Sequence, residues 1–260
     1  MKDRYGREID YLRISITDRC NLRCIYCMPE EGICQTAHKE ILTYDEIRRI
    51  CRCMTALGIK KIKLTGGEPL TRKDSAVLVR MLKELPGIEK VTLTTNGILL
   101  KEQMAELAEA GIDNINISLD TLNTEAFKKI TRREGLARVL EGLKEAMKYP
   151  QIGLKINCVP VLEDPENLIN LAEIARDNPI HVRFIEMMPI GYGKEFRFCG
   201  EDEICSVLEG AYGEMTPITE KYGNGPCHYY KISGFQGKIG FISAMTHKFC
   251  SQCNRVRMTS

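Results

Sequence analysis

The feature that most constrains this fold is an alternation of short apolar runs with longer stretches of helical periodicity. Six runs have the length and composition of β-strands: 12–17, 61–65, 90–95, 114–119, 153–160 and 181–188. Helical patterns lie between them, over 43–58, 73–85, 101–111, 123–131, 135–148 and 165–176. Helical crossovers return the chain to the same end of a sheet, so consecutive strands pair in parallel. The alternation predicts an α/β fold with helices outside the sheet.

The same pattern leaves two architectures open, a doubly wound open sheet and a complete or partial (β/α) barrel. Local signals support the elements themselves: Thr43 and Glu46 have capping-box spacing, and Gly58 suits a helix C-terminus. The regular alternation of strand and helix patterns ends at about residue 190. A further helix is predicted over 201–210, and the runs that flank SGFQG predict a β-hairpin. We expect a core over 1–210 and a second region over 211–260.

Composition excludes several classes of protein. The 260 residues are 43% hydrophobic, which is enough for a sizeable core. The net charge is +2 with both signs interspersed, which is not the footprint of a nucleic-acid or membrane-surface binder. The charged start of the chain has no apolar secretion segment, and no apolar run is long enough to span a bilayer. We therefore expect a cytoplasmic protein.

Polar, glycine or sulfur residues follow or occupy all six predicted strands, whose bodies otherwise look apolar. They are the cysteine-bearing segment after the first strand, TGGEP (65–69), TTNG (94–97), SLD (118–120), Lys155 with Asn157, and EMMP (186–189). In parallel β/α folds, ligands bind at the carboxyl ends of the strands. The pattern predicts a single site on one face of the sheet.

Cys20, Cys24 and Cys27 form a C-x3-C-x2-C cluster directly after the first strand. Three nearby thiolates suit zinc or an iron–sulfur cluster. Zinc would need a fourth ligand, for which Cys34 and His38 are candidates, and unrelated thiols are a further alternative. The remaining interpretation is a 4Fe–4S cluster with three irons held by cysteine and one iron open to a small molecule.

Several motifs carry a resemblance to a known family. CNLRCIYC followed by GGEP resembles the signature of the radical S-adenosylmethionine (SAM) superfamily. More closely, the chain resembles the GTP 3′,8-cyclase family, which performs the first step of molybdenum cofactor (molybdopterin) biosynthesis. The segments that carry this resemblance are LRISITDRCNLRCIYCMP, TGGEPLTR, LTTNGILL, INISLD, LKINCV, RFIEMMPIG and FCSQCNRVRMTS, and they extend from about Gly6 to Ser260.

The resemblance implies a partial (β/α)6 TIM-like radical SAM barrel. It implies that Cys20, Cys24 and Cys27 bind a 4Fe–4S cluster whose fourth iron is chelated by SAM. A 5′-deoxyadenosyl radical would then remove the 3′ hydrogen of GTP to give (8S)-3′,8-cyclo-7,8-dihydroguanosine 5′-triphosphate. The implied SAM contacts are Tyr26, Gly66, Gly67, Ser118 and Met188. Taken alone, the two glycines also suit a tight turn, and Met188 also suits a core position.

The implied GTP contacts are Arg13, Lys63, Thr94, Lys155, Arg255, Val256 and Arg257. Three of these cations lie within strands that should be covered on both faces. A buried unpaired cation is costly, so each needs an anionic partner, and a triphosphate supplies one. The alternative is a solvated cation on an exposed strand face.

Cys250 and Cys253 would bind a second 4Fe–4S cluster near the guanine base. The family motif includes a third cysteine further along, which this sequence lacks, so we expect a C-terminally truncated chain with an uncertain second cluster. Cys199, Cys227 and His247 are possible substitutes that the spacing does not favour. Taken alone, the C-x2-C pair also suits zinc or a redox pair.

The resemblance also implies partners, namely an electron donor such as flavodoxin or ferredoxin and cyclic pyranopterin monophosphate synthase downstream. It implies no nucleic acid and no membrane, and it leaves a homodimer open. Three alternative functions stand beside cyclisation. They are another radical SAM enzyme with an auxiliary cluster, such as a peptide-modifying maturase, a truncated cyclase that only binds or cleaves SAM, and a zinc-stabilised binding module.

Overall fold

The computed structural model describes residues 2–162, 164–197, 199–220 and 222–259, and Ser260, the last residue of the C-terminal motif, lies outside them. The strands are β1 (Tyr11–Ser15), β2 (Lys61–Thr65), β3 (Lys90–Thr95), β4 (Asn114–Ser118), β5 (Gly153–Cys158), β6 (His181–Ile185), β7 (Met215–Ile218), β8 (His228–Ile232), β9 (Ile239–Ile242) and β10 (Arg255–Met258). The α-helices are α1 (Tyr44–Ala56), α2 (Ser75–Lys83), α3 (Leu100–Glu109), α4 (Thr124–Thr131), α5 (Leu136–Ala146), α6 (Pro165–Asp177) and α7 (Glu201–Tyr212).

All ten strands form one sheet in the order β10-β1-β2-β3-β4-β5-β6-β9-β8-β7. The six strands that the sequence predicts pair in parallel with their neighbours, as expected. The sheet is curved, because Lys63 on β2 and Arg183 on β6 are close enough for their charges to interact. In a flat sheet, strands four places apart would be separated by about 19 Å. The predicted partial barrel is confirmed.

The two faces of the parallel strands differ in chemistry. One face is apolar and buried against the helices, with Leu12, Ile14, Ile62, Leu64, Val91, Leu93, Ile115, Ile117, Leu154, Ile156, Val182 and Phe184. The other face is mostly polar, with Arg13, Lys63, Thr92, Thr94, Asn114, Asn116, Lys155, Asn157 and Arg183 in adjacent register positions. Since Lys63 and Arg183 interact across the curve, the polar face is the concave one. The expectation of apolar strand bodies was therefore wrong, and the strands alternate with period two.

The later part of the chain extends this sheet at both edges. The predicted hairpin is confirmed as β8 and β9, which pair antiparallel, and β9 pairs in parallel with β6. The sequence did not predict β7 or β10, and β10 pairs in parallel with β1 at the opposite edge. One continuous sheet thus contains strands from both sides of residue 210, and the domain boundary there stays a prediction. Within the described ranges, no helix combines the length and apolar character needed to cross a membrane.

The N-terminus of α1 is capped as its sequence predicts. The Thr43 hydroxyl accepts a hydrogen bond from the backbone N–H of Glu46 at 3.2 Å, and a Glu46 carboxylate oxygen accepts one from the Thr43 N–H at 2.7 Å. These two bonds satisfy donors that the first helical turn leaves free. They fix the point at which the chain leaves the cysteine segment and enters the first helix.

We expect Thr43→Ala to lower the free energy of unfolding by about 1 kcal/mol, because the cap of α1 loses its acceptor. Thr43→Ser retains the hydroxyl and is the matched control, for which little change is expected. Urea denaturation followed by circular dichroism measures both variants. Equal stability of the Ala and Ser variants would show that the cap does not stabilise the fold.

Candidate active site

The cysteine loop follows β1 and brings its three thiols together. Cys20 and Cys24 are partly buried and Cys27 is exposed, and none of the three is in a disulfide. Burial raises the pKa of Cys24, and the nearby charges of Asp120, Cys27 and Cys20 raise it further. Burial also raises the pKa of Cys20, as do Glu68 and Cys27. The thiols are thus close enough to disfavour each other's ionisation, a situation that a bound metal cation reverses.

The donor set of the cysteine loop fits a 4Fe–4S cluster. Three cysteines from one loop leave one iron of such a cluster without a protein ligand. The polar atoms Asp18 Oδ1, Arg19 Nε and Arg23 Nε, beside the cysteines in the chain, are buried without a hydrogen-bond partner. Such orphaned groups are expected where a ligand completes a site.

The end of α4 holds the cysteine loop in place. The backbone N–H groups of Arg23 and Ile25 donate to the carbonyls of Thr131 and Ile130, each at 2.9 Å. Arg132, which follows, has a left-handed φ of +54°. Its guanidinium donates to the carbonyl of Arg23 at 3.2 Å and to that of Met28 at 3.0 Å. A non-glycine residue in this region of φ is uncommon, and here it aims a cation at two loop carbonyls.

Gly66 and Gly67 are required by the protein's own backbone. A Cβ on Gly66 would lie 2.5 Å from the carbonyl oxygen of Thr17, and one on Gly67 would lie 2.3 Å from that of Arg19. The N–H of Gly67 donates to Thr17 at 2.7 Å, and the N–H of Glu68 donates to Arg19 at 2.7 Å. The turn after β2 therefore packs directly on the start of the cysteine loop. This close approach accounts for the glycines, and a contact with SAM at Gly66 and Gly67 stays a prediction.

Glu68 joins this turn to the end of β3. Its buried carboxylate accepts hydrogen bonds from the Thr95 hydroxyl at 2.7 Å, the Asn96 N–H at 2.6 Å and the Leu70 N–H at 2.9 Å. Burial raises the pKa of Glu68, and these hydrogen bonds oppose the increase. The result is one fixed unit that contains the cysteine loop, the glycine turn and the third strand end.

A small cavity opens between the cysteine loop and the ends of β3 and β4. Its lining includes Cys24, Tyr26, Asn96, Ser118 and Asp120. The Tyr26 hydroxyl donates to Asp120 Oδ2 at 2.7 Å, and the Val159 N–H donates to Oδ1 at 2.8 Å. Burial raises the pKa of Asp120 to about 6. The predicted residues Tyr26 and Ser118 thus line one cavity, and sequence reasoning missed Asp120 although it closes the SLD motif.

Met188 lies just after β6 and is 42% exposed. The alternative of a core methionine, which the sequence left open, is therefore wrong. An exposed thioether at a strand end is available for contact with a ligand. A role for Met188 in SAM binding stays a prediction.

The concave face of the barrel concentrates positive charge. Burial lowers the pKa of Lys63 well below its usual value, and the charges of Arg183, Arg13, Lys155 and Arg255 lower it further. None of these five cations has a carboxylate within ion-pair distance among the described residues. Sequence reasoning missed Arg183, although the alternation in HVRFI places it on the same face as Lys155. Repelling cations without an acid partner call for an anionic ligand.

Neutral partners position these cations. The Lys63 ammonium donates to the Thr94 hydroxyl at 3.5 Å, and Arg183 donates to Asn157 Oδ1 at 2.5 Å. Lys155 donates to the carbonyl of Tyr222. Burial lowers the pKa of Lys155 to about 8, helped by the charge of Arg183. The predicted residues Lys63, Thr94 and Lys155 therefore occupy one region of the barrel interior.

The C-terminal segment adds cations at the edge of the same site. On β10, Arg255 pairs with Tyr11, Val256 with Leu12 and Arg257 with Arg13. Burial lowers the pKa of Arg13, and the charges of Arg257 and Arg255 lower it further. The arginines of β10 thus lie on the same face as Arg13, whereas Val256 lies on the opposite, apolar face with Leu12, and contacts of these residues with GTP stay a prediction.

Cys250 and Cys253 lie on the turn before β10. Burial alone would raise the pKa of Cys253, but hydrogen bonds from Arg255 and the charges of Arg255 and Arg7 outweigh it and lower the pKa. Arg7 also donates to the Cys250 carbonyl at 2.7 Å. A thiolate is the form that binds metals, so the surroundings of Cys253 favour ligation.

Comparison with protein families matches both parts of the chain. The model of the Radical SAM superfamily matches residues 14–187, and that of Molybdenum Cofactor Synthesis C matches residues 180–260. The chain is similar to the GTP 3′,8-cyclase of Clostridium perfringens (strain 13 / Type A), with 46% identity over all of this chain and 80% of that protein. It is 43% identical to the GTP 3′,8-cyclase of Pelotomaculum thermopropionicum, over all of this chain and 81% of that protein.

Solved structures support the fold. Streptococcus suis SuiB bound to precursor peptide SuiA superposes with a TM-score of 0.67 at 22% identity, over 79% of this chain and 46% of that chain. Methylornithine synthase superposes with a TM-score of 0.59 at 20% identity, over 80% of this chain and 64% of that chain. At these identities the likeness concerns the fold and not the substrate.

We expect Gly67→Ala to displace the cysteine loop, because the added Cβ has no room beside the Arg19 carbonyl. Iron retained after anaerobic reconstitution should fall by at least half, on the order of the loss expected when an overpacked contact costs about 1–3 kcal/mol. Gly210→Ala is the control, since a Cβ there meets nothing within 4 Å. Iron and sulfide analysis measures both variants, and full loading of Gly67→Ala would contradict the role given to this contact.

Proposed function

This chain belongs to the GTP 3′,8-cyclase family of radical SAM enzymes, and from that membership we propose the residues with which it performs the reaction. The enzyme is a lyase that converts GTP to (8S)-3′,8-cyclo-7,8-dihydroguanosine 5′-triphosphate, the first step of molybdenum cofactor biosynthesis. When bound, the 4Fe–4S cluster and SAM together supply the 5′-deoxyadenosyl radical that abstracts the 3′ hydrogen. The protein's own residues bind and orient the reactants, and the proposal concerns them.

Cys20, Cys24 and Cys27 hold the cluster on a loop fixed by α4 and by the glycine turn. Tyr26, Ser118, Gly66, Gly67 and Met188 form the surroundings of SAM. The Tyr26–Asp120 hydrogen bond supports this assignment, since it joins the cysteine loop to the end of β4 at 2.7 Å. Loop, cavity and strand end therefore keep a constant mutual arrangement, which a reactive radical requires if it is to meet one hydrogen of the substrate.

The observation that carries the substrate assignment is the uncompensated positive charge on the concave face. Lys63 is surrounded by Arg13, Lys155, Arg183 and Arg255, whose charges all disfavour its protonation. A triphosphate placed among them relieves this repulsion and restores the charged form of Lys63. Arg257 extends the same face beside Arg13, whereas Val256 lies beside Leu12 on the opposite, apolar face, and Thr94 supplies a hydroxyl. We assign this face to GTP, with the phosphates toward the cations.

The finer assignments are proposals of the same kind. We propose that Cys250 and Cys253 hold a second 4Fe–4S cluster beside the substrate, which the lowered pKa of Cys253 supports. Electrons come from a flavodoxin or ferredoxin, the product passes to cyclic pyranopterin monophosphate synthase, and the setting is cytoplasmic. These partners follow from the family and from the chemistry of a one-electron reduction.

The test of the function is anaerobic reconstitution with iron and sulfide, followed by reduction in the presence of SAM. The expected products are 5′-deoxyadenosine with SAM alone and the cyclised nucleotide when GTP is added, both followed by mass spectrometry. Iron near four per chain would indicate one cluster and iron near eight would indicate two, on the basis of about four irons per cluster. A fully loaded protein that yields no deoxyadenosine would refute the assignment.

We expect Lys63→Met to weaken GTP binding by about 30-fold or more, because a desolvated charge partner of the triphosphate is lost. The melting temperature should not fall, since burial and the four surrounding cations disfavour a charge at position 63 and methionine carries none. Lys60→Met is the control, because Lys60 is exposed and pairs with Glu89. Anaerobic calorimetry measures GTP affinity, and wild-type affinity in Lys63→Met would disprove the phosphate assignment.

A further inference from the structure

Two glutamates that belong to neither cysteine cluster are buried together at one end of the barrel. Glu186 directly follows β6 and is 4% exposed, and Glu201 opens α7 and is 3% exposed. The backbone N–H of Glu201 donates to Glu186 Oε1 at 3.3 Å, so the two residues are in direct contact. A buried carboxylate is stable only when hydrogen bonds replace its lost hydration, so the donors around this pair show what it holds.

Among the described residues, the other donors to Glu186 come from the loop after β9. Its Oε2 atom accepts from the backbone N–H of Met245 at 2.8 Å and from that of Thr246 at 3.0 Å. Its Oε1 atom accepts from the Thr246 hydroxyl at 2.6 Å. One carboxylate thus fixes two consecutive peptide groups and a side chain of this loop.

Glu201 holds the same loop on either side of these residues. One of its oxygens accepts from the Ser243 hydroxyl and lies 3.3 Å from His247 Nε2. The other lies 2.5 Å from His228 Nε2 and accepts from the Tyr230 hydroxyl at 3.2 Å. Burial would raise the pKa of Glu201, but the hydrogen bonds from His228 and Ser243 outweigh it, so the pKa is lowered. The carboxylate therefore ties the loop to the hairpin strand β8.

The loop that this glutamate pair holds leads directly to the second cysteine cluster. Lys248, the next residue after His247, has a left-handed φ of +38°, and the 3-10 turn Phe249–Gln252 that follows contains Cys250. A lysine in this backbone region is strained and persists only when the surrounding structure enforces it. The restraints on residues 243–247 supply that enforcement. Glu186 itself lies two residues before Met188, the residue of this strand end that is assigned to SAM.

We propose that Glu186 and Glu201 are positioning residues that fix the loop carrying Cys250 and Cys253 relative to the end of β6. The pair sets where the second cysteine cluster stands with respect to SAM and GTP, although neither glutamate is assigned a contact with a reactant. This inference rests on the proposed function for its catalytic consequence. The positioning itself depends only on the residues of this chain.

The test is Glu186→Gln in the full chain without cofactors, followed by hydrogen–deuterium exchange. Among the described residues, the partners of Glu186 are all donors. A glutamine NH2 group in place of Oε1 faces the Glu201 N–H, and in place of Oε2 it faces the N–H groups of Met245 and Thr246. In either orientation the bonds that remain to the loop lose the charge of the carboxylate, which weakens them. A loss of about 1.4 kcal/mol corresponds to a tenfold faster exchange, and we expect about this increase for peptides that cover 243–254. Peptides that cover 20–28 should exchange at the wild-type rate.

Two further variants keep the test interpretable. Thr246→Val removes only the side-chain donor and should give a smaller increase in the same peptides, even if Glu186→Gln folds poorly. Asp202→Asn is the matched control, since Asp202 is the exposed acidic neighbour of Glu201 in the first turn of α7. It should leave exchange unchanged. Unaltered exchange over 243–254 in Glu186→Gln, or an equal increase across the whole chain, would overturn the inference.

Reconstituted protein separates this inference from the proposed function. Glu186→Gln should produce deoxyadenosine at the wild-type rate from SAM alone, but less cyclised nucleotide per deoxyadenosine when GTP is present. Equal loss of both products would contradict a positioning role at the second cluster. If the wild-type protein cleaved no SAM, the proposed function would fail, whereas the exchange experiment would still decide whether the glutamates hold the loop.

Discussion

Repulsion among buried cations on one face of a curved sheet is the constraint around which this structure is arranged. Parallel pairing places Arg13 beside Lys63, and the curve brings Arg183 from four strands away to the same region. None of these side chains has a carboxylate partner within the described residues. The opposite face packs against the helices, and its burial of aliphatic side chains provides the free energy that holds like charges together. The concave face of the sheet therefore favours an anionic ligand.

Contacts between neighbouring strand ends hold the cysteine loop on this sheet. Two backbone hydrogen bonds join the glycine turn after β2 to the cysteine loop, and the carboxylate of Glu68 joins that turn to β3. These contacts are short-range and leave no space for a side chain at Gly66 or Gly67. The cysteine loop therefore has little freedom to move relative to the cationic face. The three cysteines and the cations of the concave face are therefore held in a fixed arrangement.

Much of this could be read from the sequence because its signals are local. Short strand-forming runs, helical periodicity and the capping box at Thr43 depend on neighbours within a few residues, and all of them are found in the structure. Two strands escaped prediction: β7 contains a proline at Pro217, and β10 is a four-residue edge strand rich in arginine. Such short edge strands lack a periodic signature and form only because a partner strand is already in place.

The candidate functional residues also divide into those that local motifs reveal and those that only the structure reveals. Motifs identified the cysteines, Tyr26, Ser118 and the cations of β1, β2 and β5, whereas Arg183 and Asp120 emerged only from their neighbours in space. Arg183 was visible as the polar residue in HVRFI, but its importance depends on charges that lie in other strands. Asp120 depends on burial and on Tyr26, far away in the chain. A local sequence pattern indicates neither the charges around Arg183 nor the contact of Asp120 with Tyr26.

By itself, the sequence determined the α/β class, the order of the main elements, the resemblance to a family and the C-x3-C-x2-C pattern, because each follows from residues close together along the chain. Only the tertiary structure decided which strand face is polar, that the cations share one interior without an acidic partner, and that Glu186 and Glu201 bind the loop before Cys250. These features arise from groups that are far apart in sequence. Their interaction energies depend on the distance between them and on their burial, and the curved sheet packed on its helices sets both quantities.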